Sequence, residues 1–476
     1  MKRSQHVLSV PALVLALSAP AMAADDVDAL RQQLAEQRAL IRAQQQQLER
    51  QAQDLDRLSR RLDELSAGKP TTAPATASAA ASAKAVQADS SPTAASPRDS
   101  VGDLNSAAVA AGDFPGAIKL PGGKDISLAI GGLVKTVAIS DSDAEGMGAD
   151  FLPSTLGTRR PDRAGAFSLD STLTRLFIDG RAPAGDGQLR AYVEWDMNGT
   201  NDGAMSYKLR HAYGTWKTGS GTLLAGQTWS TMMDPRILPE GLTEPTVSGA
   251  IFMRQPQIRW TQPIGSGFSL HASIEDSSSS DIFDGSSTPA VGQTRLPDVV
   301  LGMEYDDANW GHLRLNGIVR DLKASLPSGG TDHLNAWGLA LSGHVDLPGR
   351  DRWVFSGAYG KGLGRYLLGI PSSAGTVVDP ATGGLDARDN WGLLTAYQHN
   401  WSGKLRSSFM LGHAKAKPLG WQPGDTFVSS SYGAANLMWQ LLPTLTLGVE
   451  YAYGQLKRND GTSLDNHRVA VGFQFY

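Results

Sequence analysis

The hydrophobic pattern changes period along the chain, and each change predicts a different kind of structure. Between residues 25 and 66 apolar positions recur every seven residues. Val27, Leu34, Ile41, Leu48, Leu55 and Leu62 take one position, and Leu30, Gln37, Gln44, Gln51, Leu58 and Leu65 follow three residues later. Such a seam predicts a self-associating helical coiled coil, because a lone helix would leave its Leu and Ile residues in water. The three Gln layers weaken the seam and set register or strand number. Residues 67–115 are rich in Ala, Ser, Thr and Pro and poor in bulky apolar side chains, which predicts a flexible spacer.

From residue 116 to 476 the period becomes two, the signature of strands with unlike faces. In Leu189–Met197 one face is Leu, Ala, Val, Trp, Met and the other Arg, Tyr, Glu, Asp. Leu445, Leu447, Val449, Tyr451 and Tyr453 likewise share a face opposite Thr446, Gly448, Glu450 and Gly454. The pattern predicts about sixteen strands, at 126–140, 170–181, 187–198, 205–218, 221–230, 251–262, 267–276, 297–306, 310–321, 332–346, 351–361, 389–400, 404–415, 428–441, 444–456 and 465–476. Connections alternate in length. Those after even strands are tight (Gly219-Ser220, Leu442-Pro443), and those after odd strands are mostly long (141–169, 231–250, 277–296, 362–388). A soluble sandwich has no reason to keep that rhythm. Short turns at one end, long loops at the other and an even count predict an all-β transmembrane barrel of the outer-membrane type, about sixteen antiparallel strands preceded by the coiled coil. Closure also satisfies the strand edges that lipid cannot.

Composition agrees with this architecture. Gly is abundant at 53, Trp and Tyr number 11 each, and mean hydropathy is −0.23. The one long apolar run lies at the start, too short for a spanning helix. Lys2 and Arg3, the run Val7–Ala19 and Ala21-Met22-Ala23 predict a signal peptide over 1–23. No Cys is present, so no disulfide contributes. A net charge of −4 gives no sign of a nucleic-acid partner. Val469, Val471, Phe473 and Phe475 share one face of the last strand, with Tyr476 one residue beyond the expected final aromatic. Trp216, Trp260, Trp310, Trp353, Trp391, Trp401 and Trp439 fall near strand ends, as interfacial girdles require.

Sixteen strands leave an aqueous lumen where eight do not, which predicts passive passage of small polar solutes. Charge on a lipid face costs about 2–4 kcal/mol near the midplane, so ionised side chains are assigned inward. Arg175, Asp179 and Arg181 share a face on the second strand, Arg190, Glu194 and Asp196 on the third, and Lys208 and Arg210 on the fourth. Arg259, Arg314, Arg320, Arg352, Lys404 and Arg406 follow further round. The basic excess on strands two to four predicts a wall that attracts anions, unless Glu194 and Asp196 neutralise it in structural pairs. Tyr192, Trp216 and Tyr432 are expected in the lumen, and His211 and Tyr213 on the outward face with Leu209. Arg254 also falls on the nominally outward face, which implies a bulge, a loop end or a register shift. The Pro-stiffened loop Thr231–Gly241, carrying Asp234 and Arg236, is the candidate constriction; the alternative is a surface loop packing on a neighbouring subunit.

Several segments resemble the DcaP-like family of trimeric outer-membrane porins: Thr174–Pro183, Leu189–Glu194, Leu209–Gly214, Gly226–Ser230 and Arg254–Arg259. The order of parts is similar too. The resemblance implies a homotrimer of sixteen-stranded barrels with a periplasmic coiled coil, passing small organic anions such as dicarboxylates. Expected partners are outer-membrane lipid and lipopolysaccharide, the barrel assembly machinery and, if the helix tethers, the cell wall. Rival readings are a sugar-specific porin and an envelope-anchoring barrel. No Ser partner accompanies His211 for nucleophilic catalysis, and the nine His show no metal-ligand spacing. No cofactor, no metal and no enzymatic activity are therefore expected.

Overall fold

The computed structural model describes residues 111–120, 125–143, 148–157, 165–199, 206–277, 282–283, 296–325 and 330–476. The expected signal peptide, the coiled coil and the spacer up to residue 110 lie outside the described residues.

Sixteen antiparallel strands close into a barrel. In chain order they are β1 (Ser127–Asp141), β2 (Ala166–Asp170 and Arg175–Ala184), β3 (Gly187–Asp196), β4 (Lys208–Lys217), β5 (Thr222–Trp229), β6 (Arg254–Gly265), β7 (Phe268–Glu275) and β8 (Asp298–Asp307). The second half comprises β9 (Gly311–Ser325), β10 (Thr331–Asp346), β11 (Arg352–Lys361), β12 (Asp389–Asn400), β13 (Leu405–Ala416), β14 (Phe427–Leu442), β15 (Leu445–Arg458) and β16 (Ser463–Phe475). β1 closes the ring, pairing with β16 from Val134↔Phe475 to Asp141↔Arg468 and with β2 on its other side. A short strip, Ile118–Lys119, extends the β1 edge below the end of β16. No helix among the described residues is long and apolar enough to cross a membrane; the strands do the crossing.

Local chemistry explains the two-part β2. The Asp170 carboxylate accepts from the Thr172 N–H and hydroxyl at 2.7 and 2.6 Å and from the Ala149 N–H at 2.7 Å. Such local bonds offer the backbone an alternative to the ladder. The period-two alternation then sorts the wall. Leu176, Ile178, Leu301, Leu315, Val319, Leu411, Val471 and Phe473 are exposed outward, while Asp179, Asn316, Asn436, Glu450 and Arg468 are buried inside. Trp216, Trp353, Trp401 and Trp439 all stand exposed at the short-turn end, forming one girdle. Tyr476 lies past the last strand, its N–H donating to the Thr444 carbonyl.

One bulge corrects the expected facing of β4. Glu194 pairs with His211 but Trp195 pairs with Leu209, so Arg210 is the inserted residue. An extra residue inverts every later position in the strand. His211 and Tyr213 therefore turn inward: His211 Nδ1 lies 2.9 Å from the Thr228 hydroxyl, and Tyr213 accepts from Arg190. Trp216 turns outward rather than into the lumen. Arg352 and Lys404, expected to face inward, instead sit exposed at the short turns, Arg352 bonded to Asp346.

Candidate functional site

The lumen is built from the wall and two infolded loops. The first, between β5 and β6, crosses the interior and is tied on several sides. The Glu450 carboxylate of β15 accepts from the Leu242 and Thr243 N–H groups at 2.7 and 3.2 Å. Arg406 of β13 grips Glu240 through two 2.5 Å bonds. The loop lies flat where the wall has no side chain: a Cβ on Gly392 would stand 2.4 Å from the Gly249 carbonyl, and one on Gly412 2.2 Å from that of Ser248.

The second loop, 362–388, gave no sequence signal for infolding. It zips onto the first through Phe252 N–H to the Tyr366 carbonyl (3.0 Å) and Leu368 N–H to the Ala250 carbonyl (2.9 Å). Together Met232, Met233, Ile237, Val247, Ile251, Leu363, Tyr366 and Leu367 form an apolar core with inward Val300, Ile318, Ala340, Val354, Leu394 and Met410 of β8–β13. That half of the barrel is filled by packing. Along β1–β6 the inner face carries mainly ionised groups instead.

Asp234 and Arg236 turn out to be anchors on the filled side rather than residues lining an open path. Asp234 is fully buried. Its carboxylate lies 2.5 Å from His312 Nε2 and accepts from Ser342 Oγ at 3.0 Å and from the Arg236 N–H, which caps the turn. His312 Nδ1 in turn lies 2.6 Å from His344 Nδ1. Burial alone would raise the Asp234 carboxyl, but the His312 bond and the charges of His312, Arg314 and Arg236 hold it below its ordinary range. Arg236 reaches Glu304 at 2.6 Å and also Asp306. Arg314 bonds Glu304 and the Thr231 carbonyl, and Arg320 pairs with Asp298 at 2.9 Å. Removing Asp234 strips a buried partner from His312 and a cap from the turn. D234A should therefore loosen the loop, seen as added open-channel noise and subconductance levels in planar bilayers. A trace as steady as wild type would remove Asp234 from the anchor.

On the polar half the charges form two groups. Asp179 is shared by Arg181 and Arg190, both at 2.8 Å. One step away Arg210 holds Glu194 (3.1 Å), Asp196 (2.6 Å) and Glu244 of the first loop (3.2 Å), and Arg175 takes the other Glu244 oxygen at 2.6 Å. The strand charges are thus largely paired, as the alternative reading of Glu194 and Asp196 required. Burial would raise Glu244, yet Arg175, Arg210, Arg254 and Lys135 hold it well below the usual carboxylate range. On this side of the lumen, four inner bases have no carboxylate at ion-pair distance among the described residues: Lys135, Lys208, Arg254 and Arg259. Arg254 stays among the lumen charges despite its nominal face, its guanidinium 4.3 Å over the Trp229 ring. Lys135 and Glu244 join the lumen charges expected from the strand patterns. Lys135 follows from the β1 alternation, whereas nothing local marks Glu244.

A closed sixteen-stranded barrel with a polar half-lumen and an infolded loop defines an outer-membrane channel of the porin class. The chain belongs to the DcaP outer membrane protein family, whose profile matches residues 162–470. The outer membrane channel DcaP of Acinetobacter baumannii superposes with a TM-score of 0.64 at 20% identity, over 74% of this chain and 97% of that one. An anion-selective porin from Comamonas acidovorans (TM-score 0.48, 11% identity, 74% and 99% covered) and a Salmonella typhi OmpF complex with daunomycin (0.47, 12%, 73% and 98%) are also similar. No curated protein matches the chain.

Proposed function

We propose that this channel passes small polar solutes with a preference for organic anions such as dicarboxylates, along the half-lumen between β1–β6 and the first infolded loop. A surplus of unpaired base supports this preference. Lys135, Lys208, Arg254 and Arg259 stand on that side, while Asp179, Glu194, Asp196 and Glu244 are already engaged by Arg175, Arg181, Arg190 and Arg210. A wall of net positive charge inside a low-dielectric barrel focuses potential and raises the local concentration of counter-ions. Its assembly is proposed to be a homotrimer joined by the heptad segment 25–66, in contact with outer-membrane lipid and inserted by the barrel assembly machinery.

The test is the reversal potential of the purified protein under a KCl gradient, repeated with succinate. Anion preference is expected, reduced at least threefold in the K135Q/K208Q/R254Q/R259Q variant. These positions are chosen because neutralising them strands no carboxylate. Cation preference in the wild type would overturn the proposal, and absence of any conductance would favour the envelope-anchoring reading.

A further inference from the structure

The outward face at the long-loop end of β12–β15 carries a cationic row that the channel reading does not use. Lys415 of β13 pairs across to Ser429 of β14, and Ser429 pairs to Lys457 of β15. All three face outward, because Ala414, Ala416, Ser430 and Leu456 beside them are buried inside. Two inter-strand spacings put the lysine backbones about 10 Å apart, close enough for their side chains to converge over Ser429, which is itself buried between them. Neither lysine has a carboxylate at ion-pair distance among the described residues. Of the acids nearby on this face, Asp389 pairs with Lys361 at 3.9 Å and Asp465 lies 3.7 Å from the His467 ring.

Depth makes the row informative. Leu405, at the start of β13, pairs with Trp439 of the short-turn girdle, and Lys415 stands ten residues further along the strand. At ~3.3 Å per residue and a tilt of ~40° that is about 25 Å along the membrane normal, the height of the apolar band. The row therefore stands where hydrocarbon gives way to headgroups. An aromatic layer accompanies it: Trp391 pairs with Lys415 and packs 5.1 Å from His413, which lies 2.9 Å from the Ser431 hydroxyl. One step below, Tyr453 packs 5.0 Å from His467. Amphipathic rings beneath unpaired ammonium groups match a lipid whose acyl chains end in phosphate.

We propose that Lys415, Ser429 and Lys457 form a binding site for the phosphate of an outer-leaflet glycolipid, the two ammonium groups taking the phosphate between them and the Ser429 hydroxyl donating to it. The site depends on outer-membrane residence and not on the ion preference of the lumen. The test loads the purified full-length protein in detergent with bisphosphorylated lipid A, washes it, and counts retained lipid by native mass spectrometry. Wild type should retain the lipid, and K415Q/K457Q should retain at least fivefold less. The displaced control K323Q/K404Q should match wild type. K415R/K457R, which keeps the charge and the fold, should retain it too, and dephosphorylated lipid A should be lost from every form. Equal retention by wild type and K415Q/K457Q, or loss from K415R/K457R in a barrel that still conducts, would overturn the site.

Discussion

Replacing Arg210 by alanine is expected to destabilise the barrel by about 3–5 kcal/mol, the range for removing one partner of a buried ion pair. Arg210 is almost wholly buried and holds Glu194, Asp196 and Glu244 at once. Alanine leaves three carboxylates facing one another, with Arg175 alone still reaching Glu244. The pH dependence gives the mechanism a sign. In the wild type the Glu244 pKa is lowered, so its pairing stabilises fully above the unfolded value near ~4.3 and is lost only in stronger acid. In R210A Glu244 loses one of the guanidinium groups that hold its pKa down, so the penalty is greatest at neutral pH and is relieved as pH falls. The gap between wild-type and R210A unfolding midpoints in detergent should therefore be largest near pH 7 and narrow toward pH 4. A gap independent of pH would show that Arg210 contributes packing rather than charge compensation.

Excising the infolded part of the first loop, with residues 233–247 replaced by a short Gly/Ser turn, is expected to raise single-channel conductance roughly two- to fivefold, because pore cross-section and charged constrictions set flux. The loop and its partner at 362–388 fill the β8–β13 side of the lumen, and the wall ladder closes without either. The excised protein should still show a heat-modifiable folded band. It should also show weaker ion preference, since a wider lumen separates solutes from the charged wall. Unchanged conductance in the folded excision variant would mean that the loop does not bound the conducting path. A rise in conductance with ion preference intact would place selectivity on the wall alone.

The wall was legible in the residues alone. A strand between lipid and a polar lumen must alternate at every residue, and that constraint is local, so the alternation and the turn residues located all sixteen strands to within a few residues. The same locality placed Arg175, Arg181, Arg190 and Arg259 on the inner face. It failed where pairing between strands, not the strand itself, sets the phase. The bulge at Arg210 exists only in the register of β3 against β4, and it turned His211 and Tyr213 inward and Trp216 outward. Loop placement was hidden for a related reason. Whether 231–250 and 362–388 pack inside depends on small wall residues such as Gly392 and Gly412 and on acceptors such as Glu450, far away in sequence. Ion-pair partnership, which turned Arg210 from a free wall charge into the hub of three carboxylates, was likewise decided only when the barrel closed, because Coulomb energy depends on distance in space and no residue carries its partner's position in its own neighbourhood.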